Sequence, residues 1–309
     1  MTKPSFFLFI IILTLSLFSP QPVQALAQAQ EDLFLHLGQE SKLSSSIFAL
    51  AQIIEILRYE IQLLKSLLLN FRLQQEITAA SYLVMNLSDN SVMLAQNTNQ
   101  SYPIASLTKL MTAVIALEHI EKNQTITLTE KMLKPLGYSP SLFLGLNISA
   151  ENLLKASLIQ STNDASESLA YFLAKENFLN LMNQKAKELG MENTFFYDVH
   201  GLSPANRSNA TDLAKLLAYI YKEHPEILEI SRDNNFWLPD STGRLLKFRN
   251  VNNFYPLSQF LGGKTGYLAE AKQALASVFL VEEKPVAIIL LYSKNHQADT
   301  FNLLQQLRK

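Results

Sequence analysis

At 309 residues, with 48% hydrophobic and 17% charged positions, the chain has ample material for a packed core in one large domain or two smaller ones. Lys and Arg number 26 against 27 Asp and Glu, a formal net charge of -1, so there is no basic footprint and nucleic acid is not expected as a partner. The absence of cysteine (Cys 0) excludes a disulfide framework, a lipid-modified cysteine, a thiolate nucleophile and a Cys-ligated zinc.

Lys3 is the only charge ahead of an apolar run from Phe6 to Phe18, which Ser19-Pro20-Gln21-Pro22 ends. This predicts a secretory signal peptide over residues 1–27, with Ala25-Leu26-Ala27 as the small-x-small cleavage site and Val23-Gln24-Ala25 as the neighbouring alternative. An uncleaved anchor is the competing reading, although the run is short beside the roughly 20 apolar residues of a span. The mature chain is expected to be exported to the periplasmic or cell-wall side, and tethered to the membrane only if the signal is retained.

Residues 28–77 form the next unit. From Gln39 to Gln75 there is neither Pro nor Gly, and Leu43, Ile47, Leu50, Ile54, Leu57, Ile61, Leu64, Leu68 and Phe71 recur in alternating steps of four and three. That is the 3.5-residue period of a coiled-coil seam, which predicts a long helix serving as a stalk or as a homo-oligomer contact through residues 43–71. The extra apolar residues Ile53, Leu63 and Leu67 suit an amphipathic helix lying on the downstream domain equally well.

The pattern changes to period two near Thr78, where a third unit, 78–309, begins. Ser81 to Asn86 and Ser91 to Ala95 flank Ser88-Asp89-Asn90, a β-hairpin. A helix is expected to start at Ser106, since Ala113, Val114, Ala116, Leu117 and Ile120 keep a helical period downstream. A short extended piece at Ile126–Leu128 follows, then helical patterns over much of Ala150–Gly190, broken near Ser161, and over Thr211–Glu223. Strands return at Phe236–Leu238, Leu245–Arg249, Gly263–Gly266, Ala274–Glu282 and Val286–Tyr292, and Phe301, Leu304 and Leu307 mark a closing helix. The expected fold class is α+β: an antiparallel sheet with flanking helices and a helical subdomain, preceded by the long N-terminal helix.

Ser106 and Lys109 stand three residues apart at a helix start, so a nucleophile and a base share one face. Alone this tetrad is common. Ser161-Thr162-Asn163 interrupts the helical middle about fifty residues later, and Lys264-Thr265-Gly266 lies on a strand after Gly262-Gly263. Ser-x-x-Lys, Ser-x-Asn and Lys-Thr-Gly in this order resemble the motif set of penicillin-binding proteins and active-site serine β-lactamases. Among them the chain from about Thr78 onward resembles the D-alanyl-D-alanine carboxypeptidase family, with His200-Gly201-Leu202-Ser203 and Thr211-Asp212-Leu213-Ala214 as further familiar segments.

The resemblance implies a β-lactamase/transpeptidase-like fold and an acyl transfer in which Ser106 attacks the penultimate D-Ala carbonyl of a peptidoglycan stem peptide ending in D-Ala-D-Ala. Lys109 is then the base, or, in the alternative reading, a charged structural partner of Asn163 and a backbone carbonyl. Ser161 would pass a proton to the leaving amine, Asn163 would bind the substrate amide, and Lys264 would add positive field. Thr265 would bond the terminal carboxylate, Gly266 would let the strand approach, and the N–H groups of Ser106 and Tyr267 would form an oxyanion hole. β-Lactams would acylate the same serine.

No cofactor is implied, and the five histidines show no metal-binding spacing, so no metal site is expected. Phe195–Thr211 contains no Glu to serve as the deacylating base of a class A β-lactamase, which leaves that enzyme, a D-Ala endopeptidase and a non-catalytic sensor as alternatives. Asp212 reads as a helix cap or dipole partner, Arg249 as a brace for the Lys264 strand in preference to a ligand of the substrate carboxylate, and His200 as a surface or hydrogen-bonding residue. The chain stops at Lys309 soon after the closing helix, so a C-terminal sandwich domain and anchor are not expected.

Overall fold

The computed structural model describes residues 50, 53–62, 64–65, 76–135, 137, 141–239 and 245–307. The chain divides into two units, Met1–Phe71 and Arg72–Lys309. In the first, residues 53–62 and 64–65 are helical. The expected signal peptide and the seam positions Leu43, Ile47, Leu68 and Phe71 lie outside the described residues.

The second unit opens with the expected hairpin, β1 (Ser81–Asn86) and β2 (Val92–Gln96). Asn86 Oδ1 accepts from Ser88 N and Asp89 Oδ1 from Ser91 N, so short polar side chains close the turn. Then come β3 (Tyr102–Pro103), a 3-10 turn (Ala105–Leu107), α1 (Thr108–His119), β4 (Thr125–Thr127) and β5 (Asn147–Ser149). The helical middle is α2 (Ala150–Ile159), α3 (Asn163–Phe172) and α4 (Lys175–Glu188), followed by β6 (Arg207–Ser208), α5 (Ala210–Glu223) and α6 (Pro225–Arg232). A hairpin of β7 (Asn235–Pro239) and β8 (Leu245–Arg249) precedes β9 (Phe260–Leu268), β10 (Lys272–Val281), β11 (Lys284–Ser293) and α7 (His296–Gln306).

The main sheet has five strands in the order β2-β1-β11-β10-β9, all antiparallel, so the two ends of the unit meet where β1 pairs with β11. Side-chain alternation splits the central strands between two cores. Ala274, Ala276 and Val278 of β10 and Ala287, Ile289 and Leu291 of β11 join the core beneath α1 to α6. Leu275 and Phe279 with Val286, Ile288 and Leu290 face the smaller core under α7, where Phe279 meets Phe254 edge-on at 5.4 Å. Buried Asp299 of α7 accepts from Thr78 N at 2.8 Å and from the Ser293 hydroxyl at 2.6 Å, pinning the start of the unit to its last strand.

Besides the short strands β3, β5 and β6, which were not expected, three features depart from expectation. Ser106 lies in the 3-10 turn, and the α-helix begins two residues later. α6 was not expected: it is only 8 residues long, with Pro225 in its first turn. Finally, β8 pairs with β7 in a separate two-stranded sheet, so exposed Arg249 stands opposite Asn235 and does not brace the Lys264 strand.

Candidate active site

Ser106 is presented by a strained turn. Ala105 has φ 48, outside the helical range, and the Thr108 hydroxyl caps its carbonyl at 2.8 Å. Two glycines bring backbone against this turn. Gly201 has φ +87, and a Cβ there would lie 2.0 Å from the Ala105 oxygen; at Gly266 on β9 a Cβ would lie 3.0 Å from Ser106 N. The loop behind the serine and the strand in front of it are both seated by the lack of a side chain.

Lys109, the second residue of α1 and three residues on from Ser106, is fully buried. Its Nζ lies 3.0 Å from Ser106 Oγ, 2.8 Å from Asn163 Oδ1 and 2.6 Å from the His200 carbonyl oxygen. None of these three partners carries a formal charge. Burial, and then the charge of Lys264, hold the Lys109 ammonium well below the usual lysine range, with Asp198 and Asp164 opposing. A neutral amine has two hydrogens and one lone pair, and at these distances it can give the hydrogens to the amide oxygen and the carbonyl and turn the lone pair to the serine hydroxyl.

Asn163 begins α3, two residues after Ser161, whose φ of 61 turns the chain between α2 and α3. Lys264 on β9 is also buried, donates to the Thr265 carbonyl at 2.8 Å, and is pushed down to about 7 by burial. Thr265, Gly266 and Tyr267 follow it along the edge strand. Ser106, Ser161, Thr265, Gly266 and Tyr267 line one cavity of about 330 Å³; behind Ser106, Lys109 Nζ bonds Ser106 Oγ and Asn163 Oδ1, and the charge of Lys264 acts on Lys109. All eight residues singled out by the sequence motifs therefore converge.

Val251, Gln273 and His296 complete that cavity and carry no sequence motif. Gln273 arrives through sheet register, opposite Tyr267, and its Oε1 is 2.6 Å from His296 Nδ1. Burial holds the His296 imidazole below its ordinary range, and the charge of Lys264 adds to this while Asp299 opposes it.

His200 is buried rather than at the surface, and its contribution to the site is its backbone. The organiser of its loop is Asp198, which accepts from His200 N at 3.0 Å, Gly201 N at 2.6 Å, Ser203 N at 2.6 Å and Asn206 Nδ2 at 2.7 Å. Burial works to raise this carboxyl, but the His200 side chain and the Gly201 and Ser203 N–H groups outweigh it and hold it well below the usual range. Asp212 is not the cap of α5, since Asn209 accepts from Asp212 N at 2.8 Å; the carboxylate instead receives Asn193 N and the Thr194 hydroxyl.

Known proteins resemble this chain in sequence and in fold. The D-alanyl-D-alanine carboxypeptidase family matches residues 70–295. The chain is 33% identical over 233 residues to a D-alanyl-D-alanine endopeptidase of Escherichia coli, covering 71% of this chain and 72% of that one. It is also 33% identical over 218 residues to the D-alanyl-D-alanine carboxypeptidase DacF of Bacillus subtilis, covering 64% and 53%. The fold resembles the crystal structure of a D-alanyl-D-alanine carboxypeptidase from Mycobacterium tuberculosis, with TM-score 0.70 at 23% identity over 75% of this chain and 91% of that one. On the family match, which spans the sheet, the helical subdomain and all three motifs, the chain belongs to the D-alanyl-D-alanine carboxypeptidase family of serine-type hydrolases.

Proposed function

We propose that the protein is a serine DD-peptidase that removes the terminal D-Ala from peptidoglycan stem peptides through an acyl-enzyme on Ser106. The observation that carries this reading is the 3.0 Å approach of buried Lys109 Nζ to Ser106 Oγ. Lys109 takes the hydroxyl proton as Ser106 attacks the penultimate D-Ala carbonyl. The tetrahedral oxyanion is held by the N–H groups of Ser106 and Tyr267, and Ser161 delivers a proton to the departing amine. Asn163 binds the substrate amide, Lys264 and Thr265 hold the terminal carboxylate, and water then releases the acyl group. β-Lactams acylate the same serine.

The test is to incubate the protein with a labelled penicillin and, separately, with a pentapeptide ending in D-Ala-D-Ala. The wild type takes up label and releases D-Ala, and Ser106→Ala does neither. Label on Ser106→Ala, or no D-Ala from the wild type, sinks the assignment. An endopeptidase cutting D-Ala cross-links is the second reading, supported by the 33% identity to the E. coli endopeptidase and 32% identity over 249 residues to one of Pseudomonas aeruginosa. Cross-linked dimer in the same assay separates the two by which bond is cut.

The reading places the protein outside the cytoplasm, where its substrate lies, delivered by the signal segment 1–27. Among the described residues no helix is long and apolar enough to cross a membrane. The heptad segment is proposed to join copies of the chain. In support, the described seam residues Leu50, Ile54, Leu57, Ile61 and Leu64 are all exposed. A truncation starting at Thr78 should then lose mass in solution beyond that of the deleted residues; equal association states would remove the oligomer reading.

A further inference from the structure

The β7–β8 hairpin has one packed face and one open face. Phe236 and Phe248 stack at 4.4 Å on the packed side. On the other, cross-strand pairing aligns Asn235 with Arg249, Trp237 with Lys247 and Pro239 with Leu245. Trp237 is 52% exposed, and Lys247 Nζ stands 4.4 Å from its ring centroid. A half-exposed tryptophan is a large apolar surface left to water, the kind of group that anchors binding sites. None of the six side chains on this face is acidic.

The hairpin is fixed to the catalytic cavity. Val251, two residues beyond Arg249, lines the cavity and donates from its N–H to the Ile159 carbonyl at 3.0 Å. Asn250 Nδ2 donates to the Ser231 carbonyl at 3.0 Å, and the Ser231 hydroxyl accepts from Gly263 N beside Lys264. Lys247, the partner of Trp237, is four residues from Val251, at most about 13 Å of extended chain. A stem peptide running back from the acylated carbonyl to its sugar attachment spans four residues, about 13 Å as well.

We infer that the outer face of the β7–β8 hairpin is a saccharide platform for the glycan strand of the substrate polymer, on a strand that runs on through Val251 into the Ser106 cavity. The sugar ring lies against the free face of Trp237, while Asn235, Lys247 and Arg249 supply donors to its oxygens and positive charge to the acidic groups of the polymer. A flat aromatic ringed by donors fits a sugar better than it fits the apolar core of a protein interface. The inference rests on the peptidase reading for its choice of polymer.

Trp237 is the only tryptophan in the chain, so its fluorescence reports this face directly. Ser106→Ala protein, which does not turn over, is titrated with solubilised uncross-linked glycan chains bearing pentapeptides and with the free pentapeptide. Trp237 emission should shift with the glycan chains and stay constant with the peptide. In the otherwise wild-type protein, Trp237→Ala should lower kcat/KM for the glycan chains at least fivefold relative to kcat/KM for the free peptide, mainly through KM, and Trp237→Phe should recover most of that ratio. Equal emission responses to the two ligands, or an unchanged ratio in Trp237→Ala that still takes up labelled penicillin, overturns the platform. If wild-type protein fails to cleave the free peptide while the emission shift with glycan persists, the peptidase reading fails and the saccharide site stands.

Discussion

Asp198 is the most informative residue to perturb, because it touches no reacting atom yet gathers the loop that positions Lys109. In Asp198→Asn one carboxylate oxygen becomes an amide donor. Oδ1 serves His200 N, Gly201 N and Asn206 Nδ2 and stands 3.2 Å from His200 Nδ1, whereas Oδ2 serves Ser203 N alone, so the amide should turn its nitrogen toward Ser203. Three bonds then weaken from charged to neutral, about 1 kcal/mol each, and one buried N–H goes unpaired at about 1–3 kcal/mol, before relaxation. A net loss of about 4 kcal/mol, the lower end of that sum, lowers the melting temperature by roughly 12 °C for a domain of this size. The His200 carbonyl relaxes with the loop, and an ångström of misplacement at a base costs about 10²-fold in rate. The charge change has its own sign: Asp198 raises the Lys109 pKa, so its removal lets that pKa fall further and shifts the acidic limb of penicillin acylation to lower pH. Stopped-flow acylation across pH, beside a thermal melt, measures both. A variant that melts lower but acylates at the wild-type rate, or whose acidic limb moves to higher pH, refutes the idea that this loop sets Lys109.

Three more expectations follow from the same geometry. Lys264→Met removes a buried amine whose pKa is about 7 when folded and 10.5 in the reference state. Between these values the unfolded chain binds a proton that the native chain does not, so wild-type stability rises with pH and the penalty is complete below about 7. The advantage of the Met variant in denaturant titrations should therefore shrink by about 1.4 kcal/mol per unit between pH 8 and 10; a constant difference would contradict the burial argument. Gly201→Ala places a methyl against the Ala105 oxygen at positive φ, and should abolish penicillin labelling or soluble expression; normal labelling would show that the loop is not seated there. Tyr267 is proposed to act through its backbone, and its side chain is 69% exposed, so Tyr267→Ala should keep acylation within about threefold, and a loss near the 10²-fold of a removed oxyanion donor would assign the ring a role.

What the sequence revealed and what it hid follow from the range of the interactions. Strands β10 and β11 are legible because each runs apolar through both cores, and β1 and β2 because Ser88-Asp89-Asn90 closes a turn between alternating segments. The three motifs are legible because each catalytic role demands a residue type at a fixed local spacing. Gln273 and His296 are invisible at that level, since one reaches the cavity only through the β9–β10 register and the other only through the start of α7. Asp198 hides for a related reason: nothing local says that four N–H donors will converge on it. Arg249 was misplaced because β8 and β9 are near in sequence, whereas residues 250–259 separate them into different sheets.

The burial of two lysines in one site is the physical core of the mechanism. Each alone disfavours its charged form through desolvation, and the charge of Lys264 further opposes that of Lys109, so this part of the fold is held against its own electrostatics. Such an arrangement persists only because the surrounding structure overdetermines it: the Asn163 amide, the His200 carbonyl and the Asp198 loop fix Lys109, while strand pairing through Ala276 fixes Lys264. On the proposed mechanism, the stability given up there is what holds the Lys109 ammonium well below the usual lysine range beside Ser106. An anionic substrate then resolves the conflict in one direction, because a carboxylate arriving at Thr265 favours the charged form of Lys264. That in turn favours the neutral form of Lys109. Binding of the substrate's carboxylate should therefore sharpen the base for the attack it precedes, and a peptide whose terminal carboxylate is amidated should lose kcat as well as KM.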